Sequence, residues 1–396
     1  MRAQTFLVLL CAGAACLAQD LRQPVSLHLS VRPRYEFVDQ DDVARNAHAL
    51  TVRTLVAAHV ERGEALKGRV EVINVAHVVD RFNDTRNQQL RYPLVRDPEH
   101  TDFNQVYLEY AGADTILRAG RQTPRVNRTR FIGTGDFRQL IQTFSGASIE
   151  TRDIRPLELY YARFQRVATT AGLDRELQLD VARAGYSWTQ GNGLLASGYW
   201  HDQPVNGAQT GFADSSYRIA ALRWDGLFDA SLGARLNHTV EYARQRAYAG
   251  GDERIDADYL RFGGGLLWPA LFLRIDHERL GSRDGQYGFQ TPIGNNHLWQ
   301  GWADLFTTTP PEGLRDSWAT LGASRPPVSW VVEHHRFRAD FGGIDFGYET
   351  DAGVTWPVRK TLIARAEAAA YRRGDDPLNA RPSTTKFWLA LIWTVR

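Results

Sequence analysis

The feature that most constrains the fold is a strict alternation of apolar and polar residues, which first appears between Leu27 and Phe37. The residues of one face are Leu27, Leu29, Val31, Pro33, Tyr35 and Phe37, and those of the other are His28, Ser30, Arg32, Arg34 and Glu36. Because successive side chains of a β-strand point to opposite sides, the stretch predicts a strand with one apolar and one charged face. A soluble sandwich would turn the charged face outward to water, whereas a membrane barrel would turn it inward to a water-filled lumen. One strand is compatible with both.

The same alternation recurs along the chain and predicts eighteen strands. They cover Leu27–Phe37, Leu50–Val60, Lys67–Val75, Phe103–Ala111, Thr115–Gln122, Thr143–Arg152, Pro156–Gln165, Leu177–Trp188, Leu194–His201, Ser216–Trp224, Ala230–Gln245, Tyr259–Trp268, Ala270–Leu280, Asp316–Ala323, Val328–Phe337, Asp345–Trp356, Thr361–Tyr371 and Thr385–Val395. An even number of strands of about 9 to 11 residues is typical of an outer-membrane barrel. We therefore predict an all-β, antiparallel, up-and-down transmembrane barrel.

The connections fall into two length classes. Gly63-Glu64, Gly112-Ala113-Asp114, Asp225-Gly226 and Phe341-Gly342-Gly343 have the composition of short hairpin turns. The long connections are Asp80–Thr101, Gln122–Ile141, Asp202–Ser215 and Ser282–Arg315. Short turns at one end and long loops at the other correspond to the periplasmic and extracellular faces of an outer-membrane barrel.

Composition excludes two other classes. The mean hydropathy is −0.38 and no apolar run reaches about 18 residues, which excludes a helical membrane protein. A net charge of +2 and a pI near 8.5 argue against binding nucleic acid through global basicity. Since no linker or repeat interrupts the strands, we expect residues 19–396 to form one barrel domain.

The N-terminus has the pattern of a signal peptide, which we place at residues 1–18. A single basic residue, Arg2, precedes the apolar stretch Phe6–Leu17, and small residues precede Gln19. Both cysteines of the chain, Cys11 and Cys16, lie in this segment, so the mature chain would have no disulfide or thiol nucleophile. Acylation of Cys16 is an alternative, although the motif lacks the expected leucine. Either way, the protein is exported.

An arginine-rich segment between Arg118 and Arg138 is the strongest functional signal, with six arginines against the single acid Asp136. Three interpretations are open: structural ion pairs with Glu71, Glu109 or Glu150, an anion-selective channel lining, or an outer loop that binds phosphate or lipopolysaccharide. We favour the lining, because an eighteen-strand barrel is expected to enclose a water-filled lumen. The candidate lining residues are Arg34, Arg53, Arg69, Arg118, Arg121, Arg125, Arg130 and Arg138. Arg118 shares its side of the strand with apolar Ile116, and Arg125 to Arg138 line the lumen only if their loop folds inward.

Motifs for catalysis or cofactor binding are weak. In Glu333-His334-His335 the two histidines are adjacent in a predicted strand, so they cannot chelate one ion from the same side. Gly133-Thr134-Gly135 lacks the strand-to-helix context of a phosphate loop. No Ser/His/Asp spacing is diagnostic. We expect no enzymatic activity, no cofactor and no bound metal.

Tryptophans are expected to mark the membrane surfaces. Those at or near predicted strand ends are Trp188, Trp200, Trp224, Trp268, Trp330, Trp356 and Trp393. Their amphipathic indoles fit the headgroup level of a bilayer, although tryptophan is also common in β-structure generally.

Three blocks of the sequence resemble the alginate export family of outer-membrane barrels. The first is Phe289–Trp318, FQTPIGNNHLWQGWADLFTTTPPEGLRDSW; the second runs from Pro98-Glu99 through Asn104–Leu108 and Gly120-Arg121-Gln122 to Gln142-Thr143-Phe144; the third is Asp340, Gly342-Gly343, Asp345, Gly347 and Glu349. The resemblance covers essentially the whole mature length. It implies an eighteen-strand barrel and, in the best-known branch of the family, an arginine-lined electropositive lumen that exports the anionic polymer alginate and is partly occluded by loops. The sequence departs from such barrels at its end, where Arg396 stands in place of a terminal aromatic residue and Trp393 is a substitute.

The leading hypothesis is passive transport of anionic solutes across the outer membrane of a diderm bacterium, with export of an acidic polysaccharide such as alginate as one form of it. The expected partners are outer-membrane lipid, lipopolysaccharide, the barrel-assembly machinery and an anionic small molecule or polysaccharide, with no nucleic acid. An alternative is a barrel whose loops Asp80–Thr101 and Ser282–Arg315 bind a surface ligand or a periplasmic partner without transport. A third hypothesis is that the barrel is a hydrolase.

Overall fold

The computed structural model describes residues 25–126, 130–203 and 214–395. The predicted signal peptide at residues 1–18, Arg128 of the arginine-rich segment and the terminal Arg396 lie outside the described residues.

Eighteen antiparallel strands form one closed sheet, each paired with its neighbours in chain order. They are β1 Val25–Gln40, β2 Ala47–Arg62, β3 Leu66–Arg81, β4 His100–Ala111, β5 Thr115–Gln122, β6 Thr143–Thr151, β7 Leu157–Ala168, β8 Asp174–Thr189, β9 Asn192–Asp202, β10 Tyr217–Asp229, β11 Arg235–Ala247, β12 Asp256–Leu267, β13 Leu271–Leu280, β14 Leu314–Arg325, β15 Val328–Arg338, β16 Asp345–Arg359, β17 Leu362–Arg373 and β18 Thr384–Val395. The first strand also pairs with the last, from Leu29 opposite Val395 to Gln40 opposite Thr384. The predicted up-and-down barrel is therefore confirmed.

The two ends of the barrel differ in the length of their connections. The short-turn end has residues 63–65, 112–114, 152–156, 190–191, 230–234, 268–270, 326–327 and 360–361. The long-loop end has residues 41–46, 82–99, 123–142, 169–173, 203–216, 248–255, 281–313, 339–344 and 374–383. β1 begins and β18 ends at the short-turn end.

Two predicted turns differ from the structure. Asp225 and Gly226 do not turn but lie inside β10, which continues to Asp229, so β11 begins at Arg235 rather than Ala230. Gly226 stands opposite His238 in the ladder, and the imidazole occupies the space where a side chain on residue 226 would lie. This glycine therefore makes room for a neighbour rather than a turn. Phe341-Gly342-Gly343 does turn, but at the long-loop end.

The alternation separates two rows of side chains in each strand. The outward rows are apolar and exposed; Leu108 is 63% exposed and Ile275 is 64% exposed. The inward row of β1 carries Arg32, Arg34 and Glu36, which are all buried. An apolar outside around a charged inside is the reverse of a soluble protein and suits a barrel surrounded by lipid.

Helices contribute almost nothing to the fold. The described residues contain two short 3₁₀ turns, Ser231–Gly233 and Asn296–Leu298. None of the helices in the described part of the chain has the length and apolar character needed to cross a membrane.

The tryptophans cluster at one membrane surface. Of the seven predicted interface residues, all except Trp200 lie toward the short-turn end of the barrel. Those more than one-third exposed are Trp188, Trp224, Trp330, Trp356 and Trp393. They form one aromatic belt, as expected at a bilayer surface.

Candidate functional site: the loop-filled lumen

Loop 123–142 folds into the lumen and is held there by the barrel wall. Arg32 of β1 donates from Nη1 to the carbonyl oxygen of Asp136 at 3.0 Å and from Nε to Gln139 Oε1 at 2.9 Å. Arg34 donates to the carbonyl oxygen of Phe137 at 2.5 Å. Gln139 in turn donates to Thr51 Oγ1 of β2 at 2.8 Å. The loop therefore folds inward, which the sequence alone did not determine.

The other part of the same loop reaches a different sector of the wall. Arg130 forms a fully buried ion pair with Glu278 of β13 at 2.9 Å and donates to Thr291 and Asn296. Phe131 packs edge-to-face on Tyr259 of β12, with ring centroids 5.3 Å apart. Since β13 is six strands from β1 around the closed sheet, the loop spans the lumen.

Loop 281–313 also enters the lumen, and its polar groups bind the wall of β13 to β16. Gln300 donates to Glu278 Oε2 at 2.6 Å. The backbone amides of Trp302 and Ala303 donate to Asp351 and Glu349 at 3.2 and 2.6 Å. Gly301 permits this approach, because a Cβ there would lie 2.5 Å from the Glu349 carboxyl carbon. The block Phe289–Trp318, which the sequence resemblance singles out, is mainly this loop.

The two loops contact each other across the centre of the barrel. Gly133 donates its amide to the carbonyl oxygen of Ile293 at 2.8 Å. Phe137 stacks on His297 with centroids 3.4 Å apart. Arg138 forms ion pairs with Glu36 of β1 and with Asp304. Wall and both loops therefore make one connected polar network.

Loop 82–99 adds a third support. Asp97 is fully buried, forms an ion pair with Arg34 and accepts the amide of Gln139 at 2.9 Å. Burial would raise the pKa of the Asp97 carboxyl, but the charges of Arg34 and Arg138 hold it below its usual value. The carboxylate is thus ionised at neutral pH and holds loop 123–142 against β1.

The loops leave two cavities. The outer cavity, of about 150 Å³, lies on the long-loop side and is lined by residues that include Arg96, Arg138, His297 and Asp304. The inner cavity, of about 750 Å³, is lined by residues that include Arg223, Arg261, Arg274, Asp276 and Trp299. Asn295 is the residue that lines both, and its side-chain oxygen is buried without a hydrogen-bond partner. Asn295 therefore stands at the boundary between the two cavities.

Arginine and indole groups face each other in the inner cavity. Arg261 lies 4.5 Å from the ring centroid of Trp299 and 5.8 Å from that of Trp318. Asp276 accepts from Arg261 at 2.9 Å and from Arg274 at 2.5 Å, so two guanidinium groups share one carboxylate. Flat aromatic faces beside guanidinium groups are suited to a ring-shaped solute that carries a carboxylate.

Most of the predicted lining arginines face the lumen but are paired with acids. Arg69 pairs with Glu71 and Arg118 with Glu109 on the inward row, while Arg125 pairs with Glu150 at 2.7 Å. Glu71, Glu109 and Glu150 are the three acids that the sequence offered as partners for structural ion pairs. The arginines that are already described pair as follows: Arg34 with Glu36 and Asp97, Arg130 with Glu278, and Arg138 with Glu36 and Asp304.

Two predicted lining residues behave differently. Arg121 lies three residues after Arg118 in β5 and therefore belongs to the opposite row, with Leu117 and Ala119. It contacts Asp102 at 2.9 Å and Asp174 at 3.6 Å near the long-loop end of the wall, so the structure does not place it among the lumen residues. Arg53 is inward and buried, and within the described ranges its guanidinium has no ion-pair or hydrogen-bond partner.

Other residues of the site were not singled out from the sequence. Arg32 was assigned to the charged face of β1 but not to the site, and Arg183 lies on the inward row of β8 with Leu179 and Val181. Arg96 belongs to a loop already recognised as long and polar, but nothing in the sequence separates it from Arg91 of the same loop. Asn295 carries no charge or motif of its own.

Arg96 is the positive group of the outer cavity that no acid neutralises. Asp304 is the carboxylate in the cavity lining, and it pairs with Arg138. Among the described residues, no carboxylate oxygen lies within 4.0 Å of the Arg96 guanidinium. Its partial removal from water and the like charge of Arg138 both lower the pKa of Arg96. An anion in the cavity would remove this electrostatic cost.

A closed antiparallel barrel with an apolar outside, a charged lumen and inward-folded loops is an outer-membrane protein of the porin class, and its place is the outer membrane of a diderm bacterium. The chain belongs to the alginate export family, which it matches over residues 23–287. The match ends before the block Phe289–Trp318. Among proteins of curated function, none matches the sequence.

Solved structures share the fold at low sequence identity. The Pseudomonas aeruginosa protein OccK2 (OpdF), in complex with glucuronate, is 13% identical with a TM-score of 0.68, covering 94% of this chain and 99% of its own. Pseudomonas aeruginosa OpdK with vanillate is 13% identical with a TM-score of 0.69, covering 94% and 98%. Acinetobacter baumannii OccAB4 is 12% identical with a TM-score of 0.69, covering 94% and 99%. At these identities the likeness shows the fold alone.

Proposed function

We propose that the protein is a passive channel for small organic anions that carry a carboxylate. The observation that carries this proposal is Arg96, a guanidinium in the outer cavity beside Arg138 with no carboxylate of its own. A cationic group inside a low-dielectric wall attracts anions and raises their local concentration. No chemical reaction belongs to this function.

Further arginines extend the positive potential along the lumen. Arg53 and Arg183 belong to inward rows of β2 and β8 and have no acid partner among the described residues. Arg223, Arg261 and Arg274 line the inner cavity, where they have three acids, Asp225, Asp276 and Glu333, beside them. We infer that Arg96 selects the solute and that the inner cavity receives it.

The sizes of the cavities favour a small solute over a polymer. The inner cavity, about 750 Å³, lies within the range of about 300–1,000 Å³ of pockets for small molecules. Glucuronate and vanillate, which are named for two proteins of the same fold, are both ring-shaped carboxylates. We therefore propose solutes of that kind, and a polymeric substrate such as alginate is the alternative that the same experiment tests.

Planar-bilayer recordings in a KCl gradient test the selectivity. We expect the purified protein to conduct with anion preference, and Arg96→Glu to lower the anion-to-cation permeability ratio severalfold by reversing the charge of the outer cavity. Arg91→Glu makes the same charge change in the same loop but outside the lining of the outer cavity and is the matched control, for which we expect little change. Cation preference in the unmodified protein, or equal effects of the two variants, would contradict the proposal.

Liposome swelling identifies the substrate class. Uronic acids should enter faster than neutral sugars and amino acids of similar size, and Arg96→Glu should reduce this difference. If alginate oligomers of increasing length pass as readily as the monomer, the polymer alternative is correct. A complete absence of conductance and swelling would instead favour a ligand-binding role of the loops.

A further inference from the structure

A group of carboxylates surrounds one imidazole on the wall of β14, β15 and β16. The acids are Asp316, Glu333, Glu349 and Asp351, and the imidazole is that of His335. Asp316, Glu349 and Asp351 are fully buried. No lysine or arginine nitrogen in the described ranges lies within 4.0 Å of any of the four carboxylates. The group therefore concentrates buried negative charge with little compensation.

His335 is oriented so that one ring nitrogen faces two of these acids. Its Nδ1 donates to Asp316 Oδ2 at 2.8 Å. Its Nε2 is buried without a hydrogen-bond partner and lies 3.9 Å from Glu333 Oε2 and 3.8 Å from Asp351 Oδ2. The whole side chain is only 2% exposed. A histidine that binds a metal usually donates its other ring N–H to a carboxylate, as His335 does to Asp316.

Several carboxylate oxygens of the group also have no partner. Asp316 Oδ1, Glu349 Oε2 and Asp351 Oδ1 are buried without a hydrogen bond. The backbone amides of Trp302 and Ala303 satisfy only one oxygen each of Asp351 and Glu349. A cation bound among these buried oxygens and the imidazole nitrogen would give them the partners that they lack.

We propose that Glu333, His335 and Asp351 bind a divalent first-row transition-metal ion, such as Mn²⁺ or Zn²⁺. The three ligand atoms lie within 4.8 Å of one another. Ligands about 2.1 Å from one ion are at most about 4.2 Å apart, so the distances of 3.9 and 3.8 Å from His335 Nε2 to Glu333 Oε2 and Asp351 Oδ2 are compatible with a shared ion. This site opens on the inner cavity through Glu333, but the proposal does not depend on the anion selection at Arg96.

The donor set and the access route both suit such an ion. Imidazole nitrogen favours transition metals, whereas all-oxygen sites favour Ca²⁺ and Mg²⁺. Glu333 lines the inner cavity and is 19% exposed, so an ion reaches the group from that cavity. Thr320 donates to Glu333 Oε1 at 2.9 Å, which leaves Oε2 for the ion.

Adjacent histidines are not involved. His334 lies on the outward row of β15 and contacts Thr350, as the alternation predicts. Neighbouring histidines of a strand point to opposite sides, whereas Glu333 and His335 are two residues apart and share the inward row. Asp351 stands opposite Glu333 in the ladder between β15 and β16. The pairing of β15 with β16 thus brings Asp351 beside Glu333 and His335.

Mn²⁺ binding to the detergent-purified, EDTA-treated protein tests this proposal. Equilibrium dialysis should give one Mn²⁺ per chain, and pulsed EPR should detect coupling to a directly bound ¹⁴N nucleus. His335→Gln should remove the nitrogen coupling, and Glu333→Gln should weaken binding at least tenfold. His334→Gln, the exposed neighbour on the other face, should change neither result, and Zn²⁺ should displace the bound Mn²⁺.

Folding of each variant is checked by its resistance to unfolding in SDS without heating. Glu333→Gln removes a partly exposed carboxylate from a crowded group, so it keeps the test usable if His335→Gln does not fold. Absence of bound Mn²⁺ at micromolar concentration, binding without ¹⁴N coupling, or equal binding by folded Glu333→Gln would overturn the proposal.

Discussion

Asp304 is a carboxylate inside the lumen, between the guanidinium of Arg138 and the imidazole of His297. Burial would raise the pKa of its carboxyl group, but Arg138 and His297 outweigh burial and hold the pKa well below its usual value. The same pairing raises the pKa of Arg138, although burial alone would lower it. Both groups are charged at neutral pH, and together they join the two inner loops.

We predict that Asp304 makes the stability of the protein depend on pH in the acid range. In the unfolded chain an aspartate titrates near pH 4, so the stabilisation is fully present above that pH and decreases as the pH falls toward the depressed folded pKa. Asp304→Asn should lower the free energy of unfolding by about 3 kcal/mol at pH 7, because Arg138 loses a buried partner. Thermal unfolding curves of variant and wild type should begin to approach each other below about pH 4 and converge further as the pH falls toward the depressed pKa of Asp304.

A matched control is Asp375→Asn, at an exposed position in loop 374–383. Its unfolding should follow that of the wild type at every pH. Curves of Asp304→Asn that run parallel to those of the wild type down to pH 3 would show that the carboxylate is not the titrating group.

Sequence parity predicted the direction of the arginines in β1, β2 and β3 but not in β5, and it did not predict their partners. Arg34, Arg53 and Arg69 face inward because apolar neighbours fix the outward row. The partners of Arg130 and Arg138, Glu278 and Asp304, are 148 and 166 residues away. Such pairs depend on the path of a loop through the lumen, which alternation does not specify. For the same reason, the excess of arginines over acids near residue 130 gave no indication that Arg130 and Arg138 form ion pairs with distant acids.

At the scale of elements, the two inner loops cross each other closely inside the lumen. Gly133 of loop 123–142 lies against Asn295 of loop 281–313, and an added Cβ would be 2.6 Å from the Asn295 Cβ and 2.8 Å from its backbone nitrogen. Neither loop has room to yield without moving its backbone. The contact lies at Asn295, the residue that lines both the outer and the inner cavity.

We predict that Gly133→Ala pushes the loops apart. Overpacking of this kind costs about 1–3 kcal/mol, and the widened crossing should raise single-channel conductance and its fluctuations in planar bilayers. Gly68→Ala in β3 is the control, because its added Cβ would meet Leu108 at an ordinary 3.5 Å. If Gly133→Ala and Gly68→Ala conduct alike, permeation does not pass the crossing.

The strands were more predictable than the loops between them. Every predicted strand has a counterpart, because eighteen alternations are many independent signals of one architecture. The exception at β10 arose because a glycine has two uses: at Gly226 it admits the ring of His238, and composition alone does not distinguish this from a turn. The inward course of loops 123–142 and 281–313 follows from contacts with the wall and was not visible in their composition.

At the scale of the whole molecule, the two ends of the barrel are chemically different. Long loops and the outer cavity lie at one end, and short turns with the exposed tryptophans lie at the other. In outer-membrane barrels the short turns face the periplasm. The termini of the barrel at Val25 and Val395 are at that same end.

We predict that an epitope inserted after Leu90, which is 80% exposed in loop 82–99, is accessible to antibody on intact cells. The same epitope at Gly63, in a short turn with open space around it, should be accessible only after the outer membrane is permeabilised. Both insertions leave every strand intact. Surface labelling of the Gly63 insertion would reverse the orientation.

The pairing of β1 with β18 joins residues from opposite ends of the amino-acid sequence, from Leu29 opposite Val395 to Gln40 opposite Thr384. Until β18 is in place, β1 has one unpaired edge and β17 has another, and exposed edges of this kind invite aggregation. The last ladder to form is also the one with the greatest sequence separation, which makes it intrinsically slow. During biogenesis the unclosed barrel must therefore be protected from aggregation until β18 has been synthesised and pairs with β1.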